Sequence, residues 1–85
     1  MTIREFLEDL FKKYSKRTHT IFKLATEYSA SDSDISILLN GLGFHYAQIK
    51  DSHSDMDMNT IITEALKNGR VRNKAEKILC NLNFL

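Results

Sequence analysis

The stretch LATEYSASDSDISILLNG, residues 24–41, reads as two apolar stripes separated by a short polar turn. Ala25 and Tyr28, with Ile21 and Phe22 just upstream, form the inward side of the first stripe, with Leu24 at its edge. Ile35, Leu38 and Leu39, extended by Leu42, form the second at the three- and four-residue intervals of a helix with one buried face. Either Ser31 or Ser33 can cap the second helix by accepting a backbone N–H, and Gly41 is placed to end it in the left-handed conformation.

Working outward, the same logic covers most of the chain. Thr2 and Glu5 form a T-x-x-E capping box ahead of Ile3, Phe6, Leu7, Leu10, Phe11 and Tyr14, which predicts a helix from Ile3 to Tyr14 or a little beyond. On its far side Glu8 with Lys12 and Asp9 with Lys13 are i,i+4 pairs in the favourable order. The second helix is expected from Lys16 or Thr18 to Tyr28. Residues 44–50 read as a short helical turn. Asp57 caps a fourth helix carrying Met58, Ile61, Ile62, Ala65 and Leu66, with Met56 and Ile61 as a hydrophobic staple and Gly69 as its end. A fifth helix from Val71 to Leu82 turns Val71, Ala75, Ile78, Leu79 and Leu82 inward, leaving Phe84 and Leu85 to dock on the core or form an apolar tip.

There is no proline to break these helices, and the 85 residues suffice for one domain with one modest core. The expected fold is therefore all-α: a single helical domain over residues 1–85, built as a compact orthogonal bundle of about five short helices. One cysteine excludes an intrachain disulfide framework, and no apolar run resembles a signal peptide or reaches the roughly 20 residues of a membrane span. A soluble, cytoplasmic protein without membrane contact is expected.

The net charge of +1 is unevenly spread. Residues 1–30 carry +2, residues 31–66 carry −5 and residues 67–85 carry +4. Lys12, Lys13, Lys16, Arg17 and Lys23 form one basic run, and Lys67, Arg70, Arg72, Lys74 and Lys77 another, interrupted by Glu76. Each is either a solvated helix face or the footprint of an acidic partner, whether phosphates or protein carboxylates.

Other constellations point away from chemistry. Asp51, His53, Asp55, Asp57 and Asn59 fall at alternate positions of a calcium-type loop, but Met56 stands where glycine is needed and Ile62 where a bidentate glutamate is needed. His19, His45, His53 and Cys80 lack the close spacing of a zinc site. Cys80, beside Leu79, is expected to be a small buried hydrophobe rather than a nucleophile. No catalytic residue, metal or cofactor is expected.

Residues 24–41 resemble the helix-turn-helix of the lambda-repressor-like and LacI-like DNA-binding families. Ala25, the turn Ser29-Ala30, the cap Ser31, the packing residues Ile35 and Leu38 and the close Leu39-Asn40-Gly41 carry the resemblance. It implies a recognition helix facing DNA with Ser31, Ser33, Ser36 and Asn40, in a transcription regulator that binds as a homodimer. Two positions depart from the pattern. Ser29 stands where glycine usually supplies a positive φ, and the DNA-facing first turn carries Asp32 and Asp34 with no Arg, Lys or Gln to read bases. The preferred expectation is thus a small non-enzymatic regulator or inhibitor, of the kind phages and mobile elements encode, that binds another protein through charged helix faces. A DNA-binding transcription regulator is the alternative.

Overall fold

Thr2 starts the first helix by reciprocal capping: its hydroxyl accepts the Glu5 N–H at 3.1 Å, and the Glu5 carboxylate accepts the Thr2 N–H at 2.9 Å. The computed structural model describes residues 1–16, 19–43 and 58–83, and among them the chain forms five helices and no strand. These are α1 (Ile3–Ser15), α2 (Ile21–Glu27), α3 (Asp32–Gly41), α4 (Met58–Leu66) and α5 (Gly69–Asn81). The expected turn at 44–50, the calcium-type loop up to Asp57, the Asp57 cap with its Met56 staple, and Phe84-Leu85 lie outside the described residues.

Helix α1 supplies the centre of the core with Phe6, Leu7, Leu10 and Phe11, and packs against α3, α4 and α5. Helix α2 packs on α3, and the Tyr28 ring that follows it meets the Phe6 ring edge-on, with centroids 4.9 Å apart. Helix α5 closes the bundle with Val71, Ala75, Ile78 and Leu79 against α1, α3 and α4. Among the described residues every buried side chain is apolar or is Tyr28, so the charges lie at the surface. The radius of gyration of 11.8 Å is close to the value of about 12 Å for a folded chain of this length.

Helix ends account for most departures from the sequence reading. Helix α2 starts late, at Ile21, because Thr20 caps it and its hydroxyl takes the Lys23 N–H at 3.2 Å. Of the two serines, Ser31 caps α3, accepting the Asp34 N–H at 3.1 Å. Gly41 is not the left-handed cap: α3 runs through it, Leu42 is the C-cap, and Gly43 takes φ 90°. Nor does Gly69 end α4. Asn68 accepts the Arg70 N–H at 3.0 Å, which caps α5 and makes Gly69 its first residue.

Two side chains change sides. Phe22 is 70% exposed whereas Leu24, expected at the edge, is fully buried. With α2 reduced to Ile21–Glu27, its core direction is fixed by Ile21, Leu24 and Ala25 together with Tyr28, and Phe22 lies about 100° round the helix from Ile21. Cys80 is exposed rather than buried, because it lies on the side of α5 opposite Val71. At nine residues from Val71, it is about half a turn out of phase.

Candidate functional site

The link between α2 and α3 is a tight helix-end motif. Tyr28 is the C-cap of α2, Ser29 takes φ 53°, the Ser29 N–H reaches the Thr26 carbonyl at 3.3 Å, and the Ala30 N–H reaches the Ala25 carbonyl at 2.8 Å. These two bonds form a Schellman motif, satisfying carbonyls that the helix end would otherwise leave unpaired. It needs a left-handed residue, which serine adopts at a cost of about 1 kcal/mol relative to glycine. The sharp turn sends α3 off with its first turn at the surface: Ser31, Asp32 and Ser33 are exposed, Ser36 is half-buried, and Asn40 is exposed further along.

Asp34 turns toward α5. Its carboxylate lies 2.9 Å from the Lys74 ammonium, both side chains being about a quarter to a third accessible. The bond from Lys74 holds the Asp34 carboxyl below the usual carboxylate range; burial opposes this, and the Ser31 hydroxyl and the Lys77 charge assist. Asp34 of α3 and the cations Lys74 and Lys77 of α5 therefore share one face.

On that face Gly69, Arg70, Asn73, Lys74 and Lys77 line an open depression of about 590 Å³. Arg70, Lys74 and Lys77 stand at i, i+4 and i+7, which superposes them along one side of α5 over about 10 Å. Arg72 points elsewhere, about 200° round the same helix. Lys67 precedes α5 and pairs with Glu64 at 3.0 Å across two highly exposed side chains, an arrangement that adds little stability.

The other basic run is split by the fold. Lys12, Lys16 and Lys23 are exposed, and Arg17 lies outside the described residues. Lys13 is committed within the molecule: it lies 3.0 Å from Asp9, pairs with Glu27, donates to the Tyr28 hydroxyl at 3.3 Å and stands 5.2 Å from the centre of the Tyr28 ring. Tyr28 in turn donates to Asp9. Burial favours the neutral lysine, but the bonds to Glu27, Asp9 and Tyr28 outweigh it and raise the Lys13 pKa. Burial likewise pushes Asp9 up, yet the bonds from Tyr28 and Lys13 prevail and hold its carboxyl low. This cluster ties α1 to the end of α2 and serves the fold. Of the expected i,i+4 pairs on α1, Asp9 with Lys13 forms, while Glu8 pairs with Arg4 at 3.8 Å instead of with Lys12.

Two features are not evident from residue spacing alone. The Asp34–Lys74 pair spans 40 residues, and the exposed Phe22 sits in a shallow apolar depression with Thr20, Lys23, Thr26 and Glu27. A lysine in the last turn of the first helix, one turn after Asp9, was the available signal for the Lys13 cluster; its Tyr28 and Glu27 partners come from the fold. His19 lies 3.5 Å from Glu27, and among the described residues no three His, Cys, Asp or Glu side chains converge as metal ligands.

The arrangement defines a small all-α bundle whose distinguishing surface is a face of mixed charge where α3 meets α5. No protein-family model matches the chain, and neither a curated protein nor a solved structure shows significant similarity to it.

Proposed function

We propose that the chain is a small non-enzymatic module that regulates or inhibits another protein by binding it through charged helix faces. The Asp34–Lys74 pair carries this reading, because it sets a carboxylate inside the cationic stripe of α5. A nucleic-acid backbone presents a single sign of charge and is repelled by such a carboxylate. A protein surface can present both signs in register, and matched potentials of that kind set partner choice. Lys12, Lys16 and Lys23 offer a further exposed basic surface on α1 and α2.

The test is partner capture by wild-type protein and by two charge-reversed variants, Lys12→Glu/Lys16→Glu and Arg70→Glu/Lys77→Glu, all four positions being exposed. Loss of the same specific partner in at least one variant is expected. Retention of every captured protein by both would contradict the reading.

A second reading, a helix-turn-helix DNA-binding regulator, draws support from the Ser29 turn, which takes the positive φ that this motif requires, and from the Ser31 cap of α3. It would place Ser31, Ser33, Ser36 and Asn40 toward DNA, with α5 cations on flanking phosphates. Its mark is duplex binding that weakens steeply with salt.

A further inference from the structure

We infer that the α5 depression lined by Arg70, Lys74 and Lys77 is the docking site for an acidic peptide segment of the partner protein, a run of Asp or Glu side chains spread over about 10 Å. This rests on the protein-binding reading and names the site and the chemistry of what fills it. Among the described residues the side chains of Arg70 and Lys77 take part in no ion pair or hydrogen bond, so two cations about two helical turns apart face solvent over an open depression of about 590 Å³. Lys74, between them, already holds a carboxylate: Asp34 sits 2.9 Å from its ammonium and feels the Lys77 charge as well.

That internal pair shows how a carboxylate is received on this face, and it also limits what else can bind. Glu76, the acid of α5, lies about 240° round the helix from Arg70 and does not compete for the stripe. Asn73 adds an amide that donates to a carboxylate oxygen or accepts from a peptide N–H. An incoming acidic segment thus meets Arg70 at one end and Lys77 at the other, with Asn73 between them. A continuous phosphate chain laid along the same line would run against Asp34. A segment with discrete carboxylates and neutral residues between them avoids it. Arginine at the outer end suits bidentate capture of a carboxylate, a geometry that lysine in its place would not reproduce.

The experiment is fluorescence anisotropy with the full chain and three labelled probes: a peptide of glutamates at helical spacing in an alanine and glutamine background, the same peptide with lysine for glutamate, and a single-stranded oligonucleotide of similar length. The wild type is expected to bind the glutamate peptide and to ignore the lysine peptide. Arg70→Glu/Lys77→Glu is expected to weaken glutamate-peptide binding by roughly tenfold or more, while Lys12→Glu/Lys16→Glu leaves it within about twofold. Circular dichroism checks that both variants stay folded, and Arg70→Lys is expected to retain part of the binding.

Equal loss in both variants, or none in either, would overturn the site assignment. Tighter binding of the oligonucleotide through Arg70 and Lys77 would overturn the acidic-peptide assignment in favour of a polyanion site. If the peptide fails on α5 while partner capture is lost in Lys12→Glu/Lys16→Glu, the site is wrong and protein binding stands. Failure of both the peptide and the capture experiment removes the two readings together.

Discussion

A β-carbon on Gly41 would lie 2.3 Å from Cγ2 of Val71, so the close approach of α3 to α5 depends on Gly41 having no side chain. Val71 is 1% exposed and belongs to the packed core. Gly41→Ala would gain helix propensity in isolation, but here it forces the two helices apart and is expected to destabilise the protein by about 1–3 kcal/mol. Urea unfolding measures it. Because the two residues touch, Gly41→Ala and Val71→Ala should combine non-additively, the double variant being more stable than the sum of the singles implies. Wild-type stability for Gly41→Ala would mean that the helices do not meet in this way.

The exchange of places between Phe22 and Leu24 makes a sharp contrast in mutational cost. Leu24 is fully buried and Phe22 is 70% exposed. Leu24→Ala should therefore cost about 2–5 kcal/mol, whereas Phe22→Ala should stay within about 0.5 kcal/mol of wild type. Thermal or urea unfolding of the pair decides the matter, since the helix phase suggested by the sequence predicts the reverse order.

The cluster of Tyr28, Lys13 and Asp9 should shape stability at both ends of the pH scale. Asp9 is held below its ordinary value of 3.8, so its contribution is present above that pH and is lost as pH falls through the lower, folded-state value. Tyr28 is raised above 10.0 by burial and by its bond to Asp9, and Lys13 is raised above 10.5 despite burial. Their contributions are present below those values and decline as pH rises through the raised ones. Tyr28→Phe is expected to lower stability at neutral pH by about 1–2 kcal/mol and to flatten the alkaline decline. Denaturant midpoints from acid to alkaline pH, for wild type and Tyr28→Phe, check both the size and the sign.

The architecture of the bundle was largely legible because helices announce themselves locally. The Thr2–Glu5 box, the three- and four-residue apolar spacing and the Ser31 cap are all set by residues a turn apart, and the five helices follow. Gly41 and Gly69 misled for a physical reason: glycine serves as a helix end and also as a place for close approach or a helix start. Only the neighbouring Val71 and the Asn68 cap distinguish these uses. Phe22 was misplaced because a two-turn helix tolerates a phase error that residue spacing cannot resolve, whereas Cys80 was misplaced by its adjacency to the buried Leu79 although its spacing from Val71 puts it half a turn out of phase. The basic residues were visible as runs, but sequence adjacency could not separate Lys13, consumed by Asp9 and Glu27, from the exposed Arg70 and Lys77. The Asp34–Lys74 pair, which gives the face its mixed sign, depends wholly on how α3 and α5 pack.

The central claim is that this mixed face binds protein and not nucleic acid, and a salt titration of binding to random-sequence duplex DNA tests it most directly. Phosphate-driven binding reaches dissociation constants of about 1–100 µM at physiological salt and tightens steeply as salt is lowered. With Asp34 set among the α5 cations, the account predicts no saturable duplex binding in that range even at low ionic strength. Micromolar binding that falls steeply with added salt and is abolished by Arg70→Glu/Lys77→Glu would contradict it.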